Sequence, residues 1–227
     1  MAALLAAFTL LSCNPARAED SALRSVLFGS MEAGASAFSS SGAKLAFDRF
    51  DRDGPVALVT MGSGVRIEST APTLIRLTLL GSALGGYQFV RDWGAVTVFA
   101  GPEASWETLS GAGGVQVLPL RAGLRLHGEV WARPTAGTLL TATAILGTAR
   151  GDAYGRLSWG FALFGAYVGP EVAVYGDSTD YRKWSAGFHA TDVALGDTRF
   201  RLSTGLQSET PRGGWGPYLS LAVWRSL

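Results

Sequence analysis

Cysteine is nearly absent from this chain: Cys13 is the only one among 227 residues. Neither a disulfide framework nor a cysteine-built zinc site can be made from it. Histidine is almost as scarce, with only His127 and His189, so a histidine metal cluster lacks ligands. Charge is low, at 16% of residues, and nearly balanced at a net +1. That leaves no basic stripe for nucleic acid. With 48% hydrophobic residues, the composition is not that of a disordered chain. Asn occurs once, at Asn14, which removes Asn-Gly hairpins and leaves the turns to Asp-Gly and Gly-Pro. The 30 glycines follow no three-residue period, which excludes collagen. Mean hydropathy is +0.22, yet past the N-terminal residues no apolar run reaches the roughly 18 residues of a membrane helix. G-x-S-x-G, H-E-x-x-H and P-loop patterns are missing as well. "GSGV" at Gly62 and "GAGG" at Gly111 open no helix, as a phosphate cradle would require.

What the chain does have is period two. In "LRLHGEVWARPTAGTLLTATAILG", Leu124, Leu126, Gly128, Val130 and Ala132 share one face. Arg125, His127, Glu129, Trp131 and Arg133 share the other. After "PTAG", Leu140, Ala142, Ala144 and Leu146 oppose Thr141, Thr143 and Ile145. The same alternation sets Trp184, Ala186, Phe188 and Ala190 against Lys183, Ser185, Gly187, His189 and Thr191. It also sets Phe200, Leu202, Thr204 and Leu206 against Arg199, Arg201, Ser203, Gln207 and Glu209.

Runs of this kind, bounded by Gly, Pro, Asp and Ser, predict twelve strands. They are Ser25–Phe38, Ser41–Phe50, Gly54–Ile67, Thr73–Val90, Trp93–Trp106, Val115–Arg133, Thr138–Arg150, Ala153–Val168, Glu171–Gly176, Arg182–Thr191, Thr198–Ser208 and Pro217–Trp224. Merging across the second and ninth gives ten. Connections after even strands read as short ("DRDG", "RDWG", "RPTAG", "VGPE", "ALGD"). Those after odd strands read as longer or more polar ("ESTAP", "ETLSGAGG", "GDSTDY", "SETPRGG"). Short turns at one end and longer loops at the other characterise outer-membrane barrels.

Alternation alone does not say which face is inside. A soluble sheet buries its apolar face, whereas a membrane barrel turns it to lipid. Strand lengths near the 9–11 residues that cross a bilayer favour the barrel. So do aromatics near strand ends: Tyr87, Phe89, Trp93, Trp106, Tyr154, Tyr167, Tyr175, Tyr181, Trp184, Trp215, Tyr218 and Trp224, read as interface belts. The expected fold is an all-β, closed, antiparallel up-and-down transmembrane β-barrel. At the N-terminus, an apolar run from Ala2 to Leu11 leads to "ARA". It reads as a signal peptide over residues 1–18, cut after Ala18, followed by one outer-membrane barrel domain over 19–227. The competing reading makes Cys13 a lipidated residue.

In a barrel of this sense the polar faces line the lumen. The candidate ligand contacts are therefore Arg125, His127, Glu129, Trp131, Lys183, His189 and Arg201. His127 with Glu129 reads as an acid/base pair, as part of a metal site, or as a lumen-filling pair tied to Arg125 or Arg201. The last is favoured. His189 and Asp192 are three apart, on opposite faces of a strand, which argues against a catalytic couple. Trp131 suits either stacking on a sugar ring or a place in the interface belt. No catalytic residue, cofactor or metal is assigned.

The segments "LRLHGEVWARPTAGTLLTATAILGTARGDAYGRLSWG" and "YVGPEVAVYGDSTDYRKWSAGFHATDVALG" resemble the BcsS family of cellulose biosynthesis proteins. "GYQFVRDWGAVTVFAGPEASWE" and "GPYLSLAVW" fit the same pattern, so the resemblance runs from Leu27 to Trp224. It implies an exported protein of Gram-negative bacteria associated with cellulose synthesis and secretion. The expected role is a non-enzymatic outer-membrane barrel acting as conduit or anchor. Its partners would be outer-membrane lipid and cellulose or other secretion components. The alternatives are an outer-membrane lipid-modifying hydrolase using His127 or His189, and a soluble periplasmic β-barrel binding protein.

Overall fold

The computed structural model describes residues 25–68, 73–210 and 213–227. The signal peptide and the Cys13 alternative lie outside the described residues. All regular structure among the described residues is strand. There are thirteen segments: β1 Ser25–Ala33, β2 Ala37–Ala46, β3 Gly54–Glu68, β4 Leu74–Arg91, β5 Gly94–Gly111, β6 Gly114–Val117, β7 Arg121–Ala132, β8 Thr138–Gly147, β9 Asp152–Leu163, β10 Ala166–Gly176, β11 Arg182–Leu195, β12 Thr198–Glu209 and β13 Trp215–Ser226. Every strand pairs antiparallel with its chain neighbour except β6 and β7, which both pair with β5, and β1 pairs with β13, so the sheet closes on itself.

The wall has twelve strands, because β6 and β7 occupy one place in it. Both pair with β5, β6 through Thr108↔Val117 and β7 through Ser105↔Arg121. Between these pairs Trp106 and Glu107 face Leu118, Pro119 and Leu120, one residue more, which makes a bulge where Pro119 cannot donate. The expected strand Val115–Arg133 is thus correct in place and interrupted in the middle, and the ten-strand alternative falls.

Two turns differ from expectation. The chain first reverses at residues 34–36, inside the expected strand Ser25–Phe38, so Ala37 and Phe38 belong to β2. "VGPE" is not a turn: Val168, Gly169, Pro170 and Glu171 lie inside β10, paired with β11. The chain reverses at Phe164–Gly165, where both residues have positive φ, 50° and 80°. A phenylalanine in that conformation carries no sequence signature of a hairpin. On the β9 side the ladder skips from Val168↔Phe161 to Glu171↔Ser158, so the missing proline N–H falls where no bond is made. The same Gly-Pro-Glu occurs in β5, where the β4 ladder skips between Ser82↔Glu103 and Gly85↔Ala100. The expected difference in loop length is also slight, since the longest of the turns beside the termini is Phe47–Asp53.

Burial fixes the sense of the barrel. Leu124 (64% exposed), Leu126, Leu157, Phe161, Phe188, Leu202, Leu206 and Leu219 point outward. Buried inward are Glu103, Glu107, Glu171, Arg201, Ser203 and Gln207, each at 5% exposed or less. One apolar cluster sits inside the lumen near the termini: Ala46, Val56, Leu58, Leu84 and Phe99, with Phe28 and Phe50 against it.

Tight curvature needs missing side chains at a few inward positions. Gly187 pairs with Gly205 across β11 and β12. A Cβ on Gly187 would overlap the Thr204 carbonyl oxygen and crowd the Gly205 backbone. Gly187→Val is therefore expected to block closure. On an unboiled gel the variant would run at its unfolded position, whereas the parent barrel shows heat-modifiable mobility.

Candidate functional site

Among the described residues, the lumen is where the strands bring polar chemistry together. The sequence-predicted residues Arg125, His127, Glu129 and Trp131 stand on its wall from β7, Lys183 and His189 from β11, and Arg201 from β12. Glu129 and Trp131 make contacts across the barrel, to Lys44 and Trp224, as inward side chains of a narrow ring can, whereas Arg125 meets Glu103 of the adjacent strand and His189 meets Thr191 of its own.

At the end away from the termini, Arg66 of β3 donates to Asp177, which follows β10, at 2.9 Å. These strands lie on opposite sides of the ring, with five strands between them either way. Arg150 joins the same carboxylate at 2.8 Å and meets Glu107 at 3.1 Å. Glu107 also meets Arg76 at 3.2 Å. The Arg66 guanidinium lies over the Tyr181 ring, 4.2 Å from its centroid. The Asp177 side chain is fully buried.

In the middle, Arg125 pairs with Glu103 at 2.6 Å, and Glu103 also accepts from the Ala149 backbone N–H at 2.8 Å. Arg201 pairs with Glu171 and donates to Thr141 at 3.1 Å. Tyr218 donates to Glu171 at 3.4 Å, and Lys183 pairs with Glu32.

Toward the termini, Lys44 meets Glu129 at 3.1 Å and sits over the rings of Phe50 and Phe99. The sequence tied Glu129 to Arg125 or Arg201; its cation is Lys44 instead, because those arginines are taken by Glu103 and Glu171. His127 Nε2 lies 3.2 Å from Glu129 Oε1 without hydrogen-bond alignment, and its ring packs on Phe99. His189 Nδ1 is 2.7 Å from the Thr191 hydroxyl. Asp192 sits at a bulge with φ 67°, apart from His189 and beside Arg133 and Arg199, at 3.7 and 3.8 Å. No three His, Cys, Asp or Glu side chains among the described residues converge to hold a metal ion. Trp131 meets Trp224 across the lumen, ring centroids 6.0 Å apart.

Half of the expected aromatic belt is therefore inside. Tyr87, Phe89, Trp106, Trp184 and Trp215 are exposed on the outside and Trp93 is exposed at a turn. Tyr154, Tyr167, Tyr175 and Tyr218 face the lumen from their strands, with Tyr181 at its rim. Trp224 faces the lumen too. Sequence reading also missed Glu103 and Glu171. The signal was present, because "GPE" occurs twice, at 101–103 and 169–171, and each time Pro points out and Glu in.

Residues 26–227 match a family described as "Cellulose biosynthesis protein BcsS". No curated protein matches the chain in sequence. Among solved structures, the translocator domain of autotransporter NalP from Neisseria meningitidis is 12% identical. Its TM-score is 0.51, with 92% of this chain and 90% of that one covered. The beta domain of the Bordetella autotransporter Brka is 16% identical, with a TM-score of 0.49 and 91% and 100% covered. A KdgM porin is 7% identical, with a TM-score of 0.47 and 89% and 99% covered. At these identities the likeness concerns the fold.

Two outcomes follow from the ion pairs. Glu171→Ala leaves Arg201 buried without its carboxylate and is expected to cost about 3–5 kcal/mol. Glu171→Leu with Arg201→Met should regain most of that in equilibrium unfolding. Asp177 lies beyond the end of β10. Burial raises its pKa, but the Thr179 hydroxyl, Arg66, the Thr179 backbone N–H and Arg150 outweigh it and hold the group below the ordinary carboxylate value. A depressed folded pKa contributes stability above the unfolded value, near pH 4, and loses it as pH falls through the folded one. Thermal unfolding of the detergent-solubilised barrel should weaken below about pH 4, and Asp177→Asn should remove part of that acid dependence.

Proposed function

Because the chain belongs to the BcsS family of cellulose biosynthesis proteins, we propose that it is an outer-membrane barrel that assists cellulose export without catalysing a reaction. The observation that carries this reading is the inverted packing: aliphatic and aromatic side chains form the exposed outer wall, and paired charges fill the interior. Bilayer hydrocarbon rewards that arrangement and water does not. Export through a signal peptide ending at Ala18 completes the reading.

Between the roles of conduit and anchor, the crossing side chains favour a barrel that is shut at rest. Arg66, Arg150 and Asp177 bridge one end, and Trp131 with Trp224 bridges the other. The barrel then acts as an anchor for the secretion machinery and for the glucan it delivers. Arg125, His127, Glu129, Trp131, Lys183, His189 and Arg201 are the candidates for glucan contact.

Leu202, 47% exposed on β12, separates the membrane reading from a soluble one. Leu202→Arg should cost about 2–4 kcal/mol in a bilayer and almost nothing for a soluble barrel, as measured by urea unfolding in lipid vesicles. In cells, the protein should fractionate with the outer membrane and its deletion should lower exported cellulose. Recovery from the soluble periplasm without detergent would overturn the proposal.

A further inference from the structure

We propose that Trp131 and Trp224 form a clamp at the barrel mouth beside the termini, which takes a pyranose ring of a neutral β-linked glucan between its two indoles. The proposal rests on the export reading above and adds a site and a ligand class to it. Trp131 is the penultimate residue of β7, and Trp224 lies two residues before the end of β13. Five strands separate β7 from β13 in either direction round the ring, so the indoles reach toward each other from opposite walls. Their centroids are 6.0 Å apart with ring planes at 75°.

Trp224 stands between Phe28 and Arg199 on the adjoining strands, and both indoles are half-buried rather than buried. Trp131 stands between Ala95 and Thr141 on the adjoining strands, so small neighbours leave its faces open. The outward aromatics at the same end include Tyr87, Phe89, Trp159 and Phe161; they suit the membrane boundary, and these two tryptophans, facing inward, do not. An indole face carries negative quadrupole charge. The C–H bonds on a pyranose face carry the opposite partial charge and match it, while the hydroxyls project from the ring edge and need polar partners.

Those partners stand at the rim. Arg199 pairs in the wall with Trp224, and Arg133 follows Trp131 by two residues. Asp192 lies between the two arginines at 3.7 and 3.8 Å, beyond hydrogen-bond length. All three groups therefore have capacity for hydroxyls. Deeper in, cations and carboxylates are matched in pairs, and the rim of Arg133, Arg199 and Asp192 carries a single net positive charge, too little to select a polyacidic chain. Seating a ring needs the indoles parallel and about 7–8 Å apart, two stacking distances of about 3.5–4 Å each. From 6.0 Å that is a shift of about 1–2 Å with rotation of one indole, on the scale of side-chain rotamer motion.

The test is calorimetric titration of the folded, detergent-solubilised barrel with cellohexaose, folding being checked by heat-modifiable mobility. The parent should bind saturably. Trp131→Ala and Trp224→Ala should each weaken binding at least ten-fold, Trp131→Tyr should restore part of it, and an oligogalacturonate of equal length should bind far more weakly. No binding by the parent, equal binding by both alanine variants, or equal binding of the acidic oligosaccharide would each overturn the clamp. Cells separate this from the export role. If deletion lowers exported cellulose and the double alanine variant exports normally, the clamp fails and the export role stands. If the titration behaves as expected and deletion changes nothing, the export role fails and the clamp stands.

Discussion

The pairing of β1 with β13 is the constraint on which the rest of this molecule depends. An open antiparallel sheet would present two rows of unsatisfied backbone N–H and C=O groups, each costly away from water. Joining Val26–Ala33 to Leu219–Ser226 removes both rows at once. Closure also divides space. Every second side chain is enclosed with the side chains of eleven other strands, and the remainder face whatever surrounds the barrel.

Enclosure dictates the character of the interior. A charge held there without a partner is expensive, so carboxylates and guanidinium groups must meet, some along or between neighbouring strands, as Arg66 with Glu68 and Arg125 with Glu103, and others across the lumen. Arg66 with Asp177, Lys44 with Glu129 and Lys183 with Glu32 join strands far apart in the chain. Such pairs are weak evidence for stability, because desolvation offsets much of their attraction. Their consequence is spatial: they fill the lumen and hold its two ends in different chemical states. Arginines and carboxylates crowd the end away from the termini. Aromatic rings and an apolar cluster containing Phe99 and Leu58 gather at the other.

That polarity connects fold to role. Under the proposed export role, the two ends would offer different surfaces to what lies on either side, and a barrel achieves this by varying which residues point inward along each strand. The mouth beside the termini offers flat rings edged by Arg133, Arg199 and Asp192. The opposite end offers a salt-bridged lid whose carboxylate, Asp177, is held ionised by Thr179 and two arginines.

The strand pattern and the lumen face were legible because both follow from local geometry. A strand places successive side chains on opposite sides whatever it pairs with. The companions of Arg125 are therefore His127, Glu129 and Trp131 in any sheet. Errors arose where a local signal was outweighed by a distant one. Gly-Pro at 169–170 is a strong breaker on its own, yet the strand passes through it because the lost N–H falls at a skipped rung opposite β9. Phe164 gave no hint of a turn, because its positive φ is imposed by the strands on either side. Trp224 looked like an interface residue from its place near a strand end, but its position in the register with Phe28 and Arg199 turns it inward.

By itself the sequence determined the all-β class and the residues that share each face, because these are fixed by a two-residue period, whereas the choice of twelve strands over ten came only with the closed ring. Only the tertiary structure decided that Glu129 pairs with Lys44, that Arg66 reaches Asp177, and that Trp131 faces Trp224. Those partners are 85, 111 and 93 residues apart in the chain. Nothing in local geometry specifies which inward positions oppose one another until the ring has closed and its register is set.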